Sequence, residues 1–357
     1  MSNKISKLPH IHVIYESGPD YRPYSSSFLR LIRPLTHPLV QEHLSTSFGL
    51  DYNNEPADVV IIDRLWRSNV SLKLVQDLVN KIRFKGAHLV YSVDDNYLDL
   101  QSLDQVKPGS ETSSIVTFLL QQADAVLVTT PALSQRFQEF NPKIYILPNQ
   151  LDERLLVIRQ PALPAQLADR IQIVVGYMGT FTHDSDLMMI LPALQSIARR
   201  YPHRVQFQVV GVINNEDIKN ELSSLPLRFV YPHREEHEYP LFMPWFTGHV
   251  HWDIAISPLL ADPFNDCKSD IKFLDYASIG AASIFSNVPA YTASVQHQRN
   301  GWLTENTQLG WEDALSNLIE KPDLRIEIAQ CAYQYLYSSR ILAHRAGDWV
   351  EIFRSLW

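Results

Sequence analysis

Cysteine is nearly absent: the 357 residues hold two, Cys267 and Cys331. Two distant cysteines make neither a disulfide framework nor a metal-ligand spacing. A reducing compartment is their natural setting. Long apolar runs are also missing. None approaches the ~20 residues needed to span a bilayer, and the stretch from Met1 to Pro9 has no apolar signal core. The expectation is a cytoplasmic protein, with contact at the inner face of a membrane left open. Positive charge is short: 31 Lys and Arg against 39 Asp and Glu give a net charge of −8. A nucleic-acid partner is therefore not expected, although local basic patches for phosphate remain. Thirteen histidines invite a metal reading. His249 and His251 are two apart and His233 and His237 four apart, but no cysteine or carboxylate spacing completes a zinc site. No metal and no cofactor are expected.

What is present is ordinary globular material, 45% apolar and 20% charged, long enough for two domains with separate cores. Short runs rich in valine and isoleucine alternate with helical patterns. Strands are predicted at Ile11–Tyr15, Asp58–Ile62, His88–Val93, Asp124–Thr129 and Lys143–Leu147, with helices such as Ser71–Phe84 and Glu111–Gln122 between them. Strands of this composition are buried on both faces, and the rhythm is that of a doubly wound parallel sheet. It breaks at the proline-rich stretch 160–165. It resumes with Ile171–Tyr177, Val205–Val210, Leu227–Val230, Asp253–Ser257 and Ala282–Phe285. After Trp311 the pattern is helical to the end.

The richest segment runs from Pro263 through Asn265, Cys267, Lys268, Ser269, Lys272, Asp275 and Tyr276 to Gly280. Ile271, Leu274, Ala277 and Ser278 form one helical stripe, and Lys268, Lys272, Asp275 and Tyr276 a second. Gly280 suits a left-handed helix stop. A helix beginning near Lys268 would show two cations in its first turns and a carboxylate one turn later. Free backbone N–H groups and two lysines suit a diphosphate, and the carboxylate suits a ribose. A plain surface helix with i,i+4 charges fits the same spacing.

This segment resembles the C-terminal signature of family-4-type GT-B glycosyltransferases. The nearest pattern is that of a divergent branch from bacterial surface-glycan pathways, including O-antigen and capsule synthesis. The resemblance implies an α/β GT-B protein, two Rossmann-like doubly wound parallel-sheet domains facing a cleft. The first domain would span 1–163 on the acceptor side and the second 164–335 on the nucleotide-sugar side. A C-terminal helix, 336–357, would cross back to the first domain. The wider family has two glutamates where this chain has Cys267 and Asp275. Asp275 keeps the charge on a shorter arm and Cys267 does not.

Further residues join the expected site. Gly176, Gly179, Thr180, His183 and Asp184 form the turn after the first strand of the second half. Glycine permits a close backbone approach to a ligand, and the resemblance places this loop against the donor diphosphate. The expected donor-binding set is Gly179, Thr180, His183, Asn265, Lys268, Ser269, Lys272, Asp275 and Tyr276. Asp94 and Asp95 end a strand, where open α/β sheets place ligands, and are the candidate catalytic pair. A helix cap explains them equally well. Being adjacent, their side chains would point to opposite faces of a strand. Gly18, Arg22 and Ser25, after the first strand, are acceptor-side candidates. Asp63, Arg64, Trp66 and Arg67 qualify by position alone.

The implied activity is transfer of a sugar from a nucleotide-sugar donor to a glycan or lipid-linked acceptor, retaining and metal-independent. Enzymes of the same pathway are conceivable partners. A non-catalytic nucleotide-sugar-binding or partner subunit is the alternative, motivated by Cys267. A sugar-nucleotide epimerase of the same fold is a third reading.

Overall fold

A computed structural model describes residues 8–53, 56–100, 111–158, 172–179, 184–211 and 220–356. The proline-rich stretch 160–165, Thr180 and His183 lie outside the described residues. The chain divides into two compact units. One comprises Met1–Asp152, Cys267–Ser269 and Leu342–Trp357, the other Glu153–Asp266 and Asp270–Ile341.

The first unit holds a parallel six-stranded sheet in the order β2-β1-β3-β4-β5-β6. Its strands are β1 His10–Ile14, β2 Ser45–Gly49, β3 Val59–Asp63, β4 His88–Ser92, β5 Ala125–Val128 and β6 Ile144–Ile146. Every residue of β3 and β5 is buried, as apolar strands covered on both faces require. Helices Leu72–Phe84 and Glu111–Gln122 cover one face, burying Val75, Val79, Ile82, Ile115, Val116 and Leu119 against Val60, Ile62 and Leu89. The last helix, Leu342–Arg354, closes the other face with Trp349, Val350 and Phe353 against Ile11, Val13 and Ile61. Each fully buried branched aliphatic contributes ~1.5–3 kcal/mol.

The expected 336–357 helix is in fact two. Residues up to Ser339 end the helix Pro322–Ser339, and a new helix starts at Leu342. The break falls at Arg340, whose side chain is drawn away to Asp270.

The second unit holds another parallel sheet, β12-β11-β10-β7-β8-β9. Its strands are β7 Ile173–Gly179, β8 Val205–Gly211, β9 Leu227–Val230, β10 Ile254–Ser257, β11 Ala282–Ser286 and β12 Trp302–Thr304. Helices Asp184–Arg200, Gln308–Glu320 and Pro322–Ser339 pack on it through Leu187, Ile190, Leu194, Ala314, Leu318 and Ile328. Both sheets carry a strand the sequence pattern hides. β2 reads Ser-Thr-Ser-Phe-Gly, an edge strand only half-buried throughout. β12 is three residues long.

Candidate functional site

In the first unit, the carboxyl ends of β1, β3 and β4 converge on a charged cluster. Asp63 is the last residue of β3 and fully buried. It pairs with Arg30, from the π-turn Phe28–Ile32, and accepts 2.6 Å from the Ser27 hydroxyl. Arg30 also donates 2.8 Å to the Ser92 hydroxyl at the end of β4 and lies 3.1 Å from Asp94. Directly after β3, Arg64 adopts a left-handed backbone, φ 49°, uncommon outside glycine. That turn delivers its guanidinium to three carboxylates. It donates to Asp94 at 2.5 and 2.9 Å, to Asp95 at 2.9 Å and to Glu16 at 3.1 Å.

Asp94 and Asp95 are thus gathered by one arginine rather than directed to opposite faces. The alternation argument fails because β4 stops at Ser92, before the pair. Burial disfavours the Asp94 charge, but Arg30 and Arg64 override it and hold its pKa at about 2. A carboxylate so paired is a poor proton acceptor near neutral pH. Asp95 is engaged through one oxygen and remains more open. Burial pushes Glu16 up to about 7, against the pull of Arg64 and with Asp63 and Asp94 adding to the rise. Glu16 and Arg30 were not singled out from the sequence, because they reach the cluster across 14 to 78 positions that no local motif spans. Gly18, Arg22 and Ser25 stay outside the cluster. Gly18 closes a turn with Tyr21, and Arg22 and Ser25 are exposed. The serine that reaches the charged groups is Ser27.

The Asn265–Ser269 run has its own structure. Helix Ile271–Ser278 begins three residues later than the spacing predicts. Lys268 therefore precedes the helix, and the two lysines do not share a helical stripe. Asn265 turns its side-chain amide onto Asp262 at 2.6 Å. Ser269 accepts 2.8 Å from Asn149. Cys267 is buried in the core of the first unit, with Asn96 donating to its sulfur at 3.6 Å and Thr130 to its carbonyl at 3.0 Å.

Within the second unit, Lys272, Asp275, Gly179 and Tyr177 form a group at the end of β7. The Lys272 ammonium lies 5.2 Å from the centre of the Tyr177 ring. A Cβ on Gly179 would come within 2.4 Å of the Tyr177 hydroxyl, so no larger residue fits there without that ring moving. Asp275 is 6% exposed. Burial pushes its carboxyl up to about 7, with the Lys272 charge opposing. The Tyr177 hydroxyl is buried and has no hydrogen-bond partner among the described residues. Tyr276 departs from expectation. Its ring is fully buried, and its hydroxyl accepts from the Met178 N–H and donates to the Ile256 carbonyl, both at 3.1 Å. It braces the helix against β7 and β10. Among the described residues, no group of three or more His, Cys, Asp or Glu is placed to hold a metal ion.

Two six-stranded parallel sheets with flanking helices and these strand orders define the GT-B fold. Solved structures of glycosyltransferases share it. HepE of Anabaena, solved with UDP-glucose, is 12% identical with a TM-score of 0.69, over 97% of this chain and 99% of that one. Sucrose-phosphate synthase of Thermosynechococcus elongatus is 12% identical with a TM-score of 0.70, over 98% and 99%. A glycosyltransferase of Rickettsia africae is 12% identical with a TM-score of 0.66, over 98% and 99%. No protein-family model and no curated protein matches the chain. No described helix is long and apolar enough to cross a membrane.

Proposed function

We propose that the chain is a nucleotide-sugar-dependent glycosyltransferase. The observation that carries this is the group at the end of β7: a buried carboxyl at Asp275, one turn from Lys272, whose ammonium lies over the ring of Tyr177 that packs on Gly179. Lys272 would neutralise the donor diphosphate. Asp275 would accept hydrogen bonds from a ribose. UDP-glucose in HepE, on the same fold, supports a sugar nucleotide as the donor.

In the transfer, the bond from the anomeric carbon to the diphosphate breaks and its electron pair leaves with the diphosphate. The acceptor hydroxyl forms the new bond to that carbon and loses its proton. Stabilising the leaving charge is usually the largest catalytic contribution, and Lys272 is the residue assigned to it. Asp95, the more open member of the aspartate pair, would contact the sugar or the acceptor hydroxyl; Asp94 and Arg64 would hold it in place. Retention of configuration, independence of added metal, and an acceptor that is a glycan or lipid-linked glycan in surface-polysaccharide synthesis belong to the same reading, on the resemblance of the 263–280 segment. Peripheral contact with a membrane and pathway enzymes as partners follow from such an acceptor.

The test is a binding and turnover panel of UDP-, GDP-, ADP- and CDP-sugars, with and without chelator. Donor binding that is lost in Lys272→Ala while the protein stays folded supports the reading. Unchanged affinity in Lys272→Ala and Lys268→Ala would show the donor site to be elsewhere. A strict manganese or magnesium requirement would overturn the metal-independent mechanism. A non-catalytic nucleotide-sugar-binding subunit is the second reading, favoured by the burial of Cys267 where the family pattern has a glutamate. Binding with neither transfer nor donor hydrolysis would select it.

A further inference from the structure

Asp270 stands directly before the helix Ile271–Ser278, where an aspartate ordinarily caps the helix by accepting a first-turn N–H. Here it makes no such bond. Its carboxylate is turned to Arg340, 70 residues on, which donates to both oxygens at 2.7 and 2.9 Å. Ser294 donates to Oδ2 as well. Arg340 is itself fixed, 3.1 Å from the Tyr335 hydroxyl and with its guanidinium 5.8 Å from the centre of that ring. Asp270 is 8% and Arg340 9% exposed. All of these residues belong to the second unit.

A carboxylate at this position, left unpaired, would occupy the helix start and repel any anion brought to it. The pairing with Arg340 removes both effects. A second feature at the same end of the helix points to a ligand. The Tyr177 hydroxyl is buried, has no hydrogen-bond partner among the described residues and belongs to the ring over which Lys272 lies.

We propose that Arg340 is a positioning residue for diphosphate binding: by holding Asp270 it keeps that carboxylate off the start of the Ile271–Ser278 helix, so that the helix start, with Lys272, receives the donor diphosphate. This rests on the donor-site reading above and extends it to Asp270 and Arg340.

The test uses the full chain and measures affinity for UDP, GDP, ADP and inorganic pyrophosphate by calorimetry. The nucleosides are measured by ligand-observed NMR. Arg340→Met frees the carboxylate and should weaken diphosphate and pyrophosphate binding by about tenfold or more, while the nucleoside changes by less than about threefold. Adding Asp270→Asn removes the freed charge and should restore diphosphate affinity to within about threefold of the parent, even where the melting temperature stays lowered. Equal loss of nucleoside and diphosphate in Arg340→Met, or failure of the double variant to recover, would reduce the pair to a structural brace and overturn the proposal. If Arg340→Met does not fold, Arg340→Lys, alone and with Asp270→Asn, is read by the same ratio. A parent protein that binds none of the diphosphates overturns the donor-site reading itself. A parent that binds them with Arg340→Met unaffected overturns only the role of Arg340.

Discussion

The two units carry charge in opposite styles. At the strand ends of the first, two arginines and four carboxylates are cross-linked into one network, and Arg30 and Asp63 are almost wholly buried. At the end of β7 in the second, the ionisable groups are few: the buried Asp275 has only the Lys272 charge acting on it, and the Tyr177 hydroxyl lacks a hydrogen-bond partner among the described residues. A cross-linked network of this kind holds its members in place, and removing Arg30 strands the buried Asp63 in low dielectric. Groups left unsatisfied are costly unless something else completes them. The first arrangement suits holding one or two side chains in fixed positions. The second suits a ligand that supplies the missing partners.

The largest effect should come from breaking the cross-linked side. Arg30→Met leaves the fully buried Asp63 without its ion partner. It should destabilise the fold by about 3–5 kcal/mol, measured by denaturant unfolding. A loss below about 1 kcal/mol would show the network to be loosely held and would erase the contrast between the units.

On the open side, Asp275→Asn should cut nucleoside-diphosphate affinity about ten- to a hundredfold, the effect of losing a charged acceptor for two hydroxyls, roughly 1.5–3 kcal/mol. A mere surface pairing with Lys272 would be worth only ~0.5 kcal/mol. Asp275→Glu should be tolerated. The pH dependence sharpens this. Burial raises the Asp275 carboxyl to about 7, so it is largely protonated at pH 6 and ionised at pH 8. A carboxylate that accepts from ribose binds in its ionised form, and donor affinity should rise across that interval. Asp275→Asn should flatten the rise.

Glu16 belongs to the network yet titrates like the open-side Asp275. Its folded pKa is raised from the ordinary 4.5 to about 7. A raised acid contributes stability that is complete below its unfolded value and is lost as pH climbs through the folded value. The parent should therefore lose stability between about pH 4.5 and 7 through this group. Glu16→Gln should escape that loss and be the more stable form above pH 7, by roughly 1–2 kcal/mol. Unfolding curves at pH 5 and 8 check it, and an unchanged pH dependence in the variant would show that Glu16 is ionised throughout.

Much of this fold was legible because its sheets are covered on both faces. Runs such as Val59-Val-Ile-Ile62 and Ile254-Ala-Ile256 declare themselves by composition. β2 was not, since an edge strand of Ser, Thr and Gly has no apolar run to read. The aspartate pair was legible from its place at a strand end. Its true environment was not, because Arg30 arrives from the π-turn Phe28–Ile32 and Arg64 from a left-handed turn after β3. The helix start was misplaced for a similar reason. Local spacing favoured Lys268, but Asp270 is engaged by Arg340, a contact with no local trace. Tyr276 fell on the right stripe of the helix and on the wrong side of the question. Periodicity reports which residues share a face, and burial decides whether that face meets core or ligand.

The smallest effect is expected where an arginine of the first unit lies outside the network. Arg22 is about two-thirds exposed and sits 3.9 Å from an equally exposed Asp20. Exposed pairs of this kind are worth roughly 0–1 kcal/mol, so Arg22→Ala should shift stability by less than about 0.5 kcal/mol, against the several expected for Arg30. Its value lies in function. If Arg22 meets the acceptor, as its place after β1 suggests, the variant should raise the acceptor KM while leaving kcat and donor affinity alone, the pattern of lost binding shared by ground and transition states. A drop in kcat with KM unchanged would instead tie Arg22 to the reacting atoms. No change in either parameter would remove it from the acceptor side and leave the cross-linked cluster as the catalytic surface of that unit.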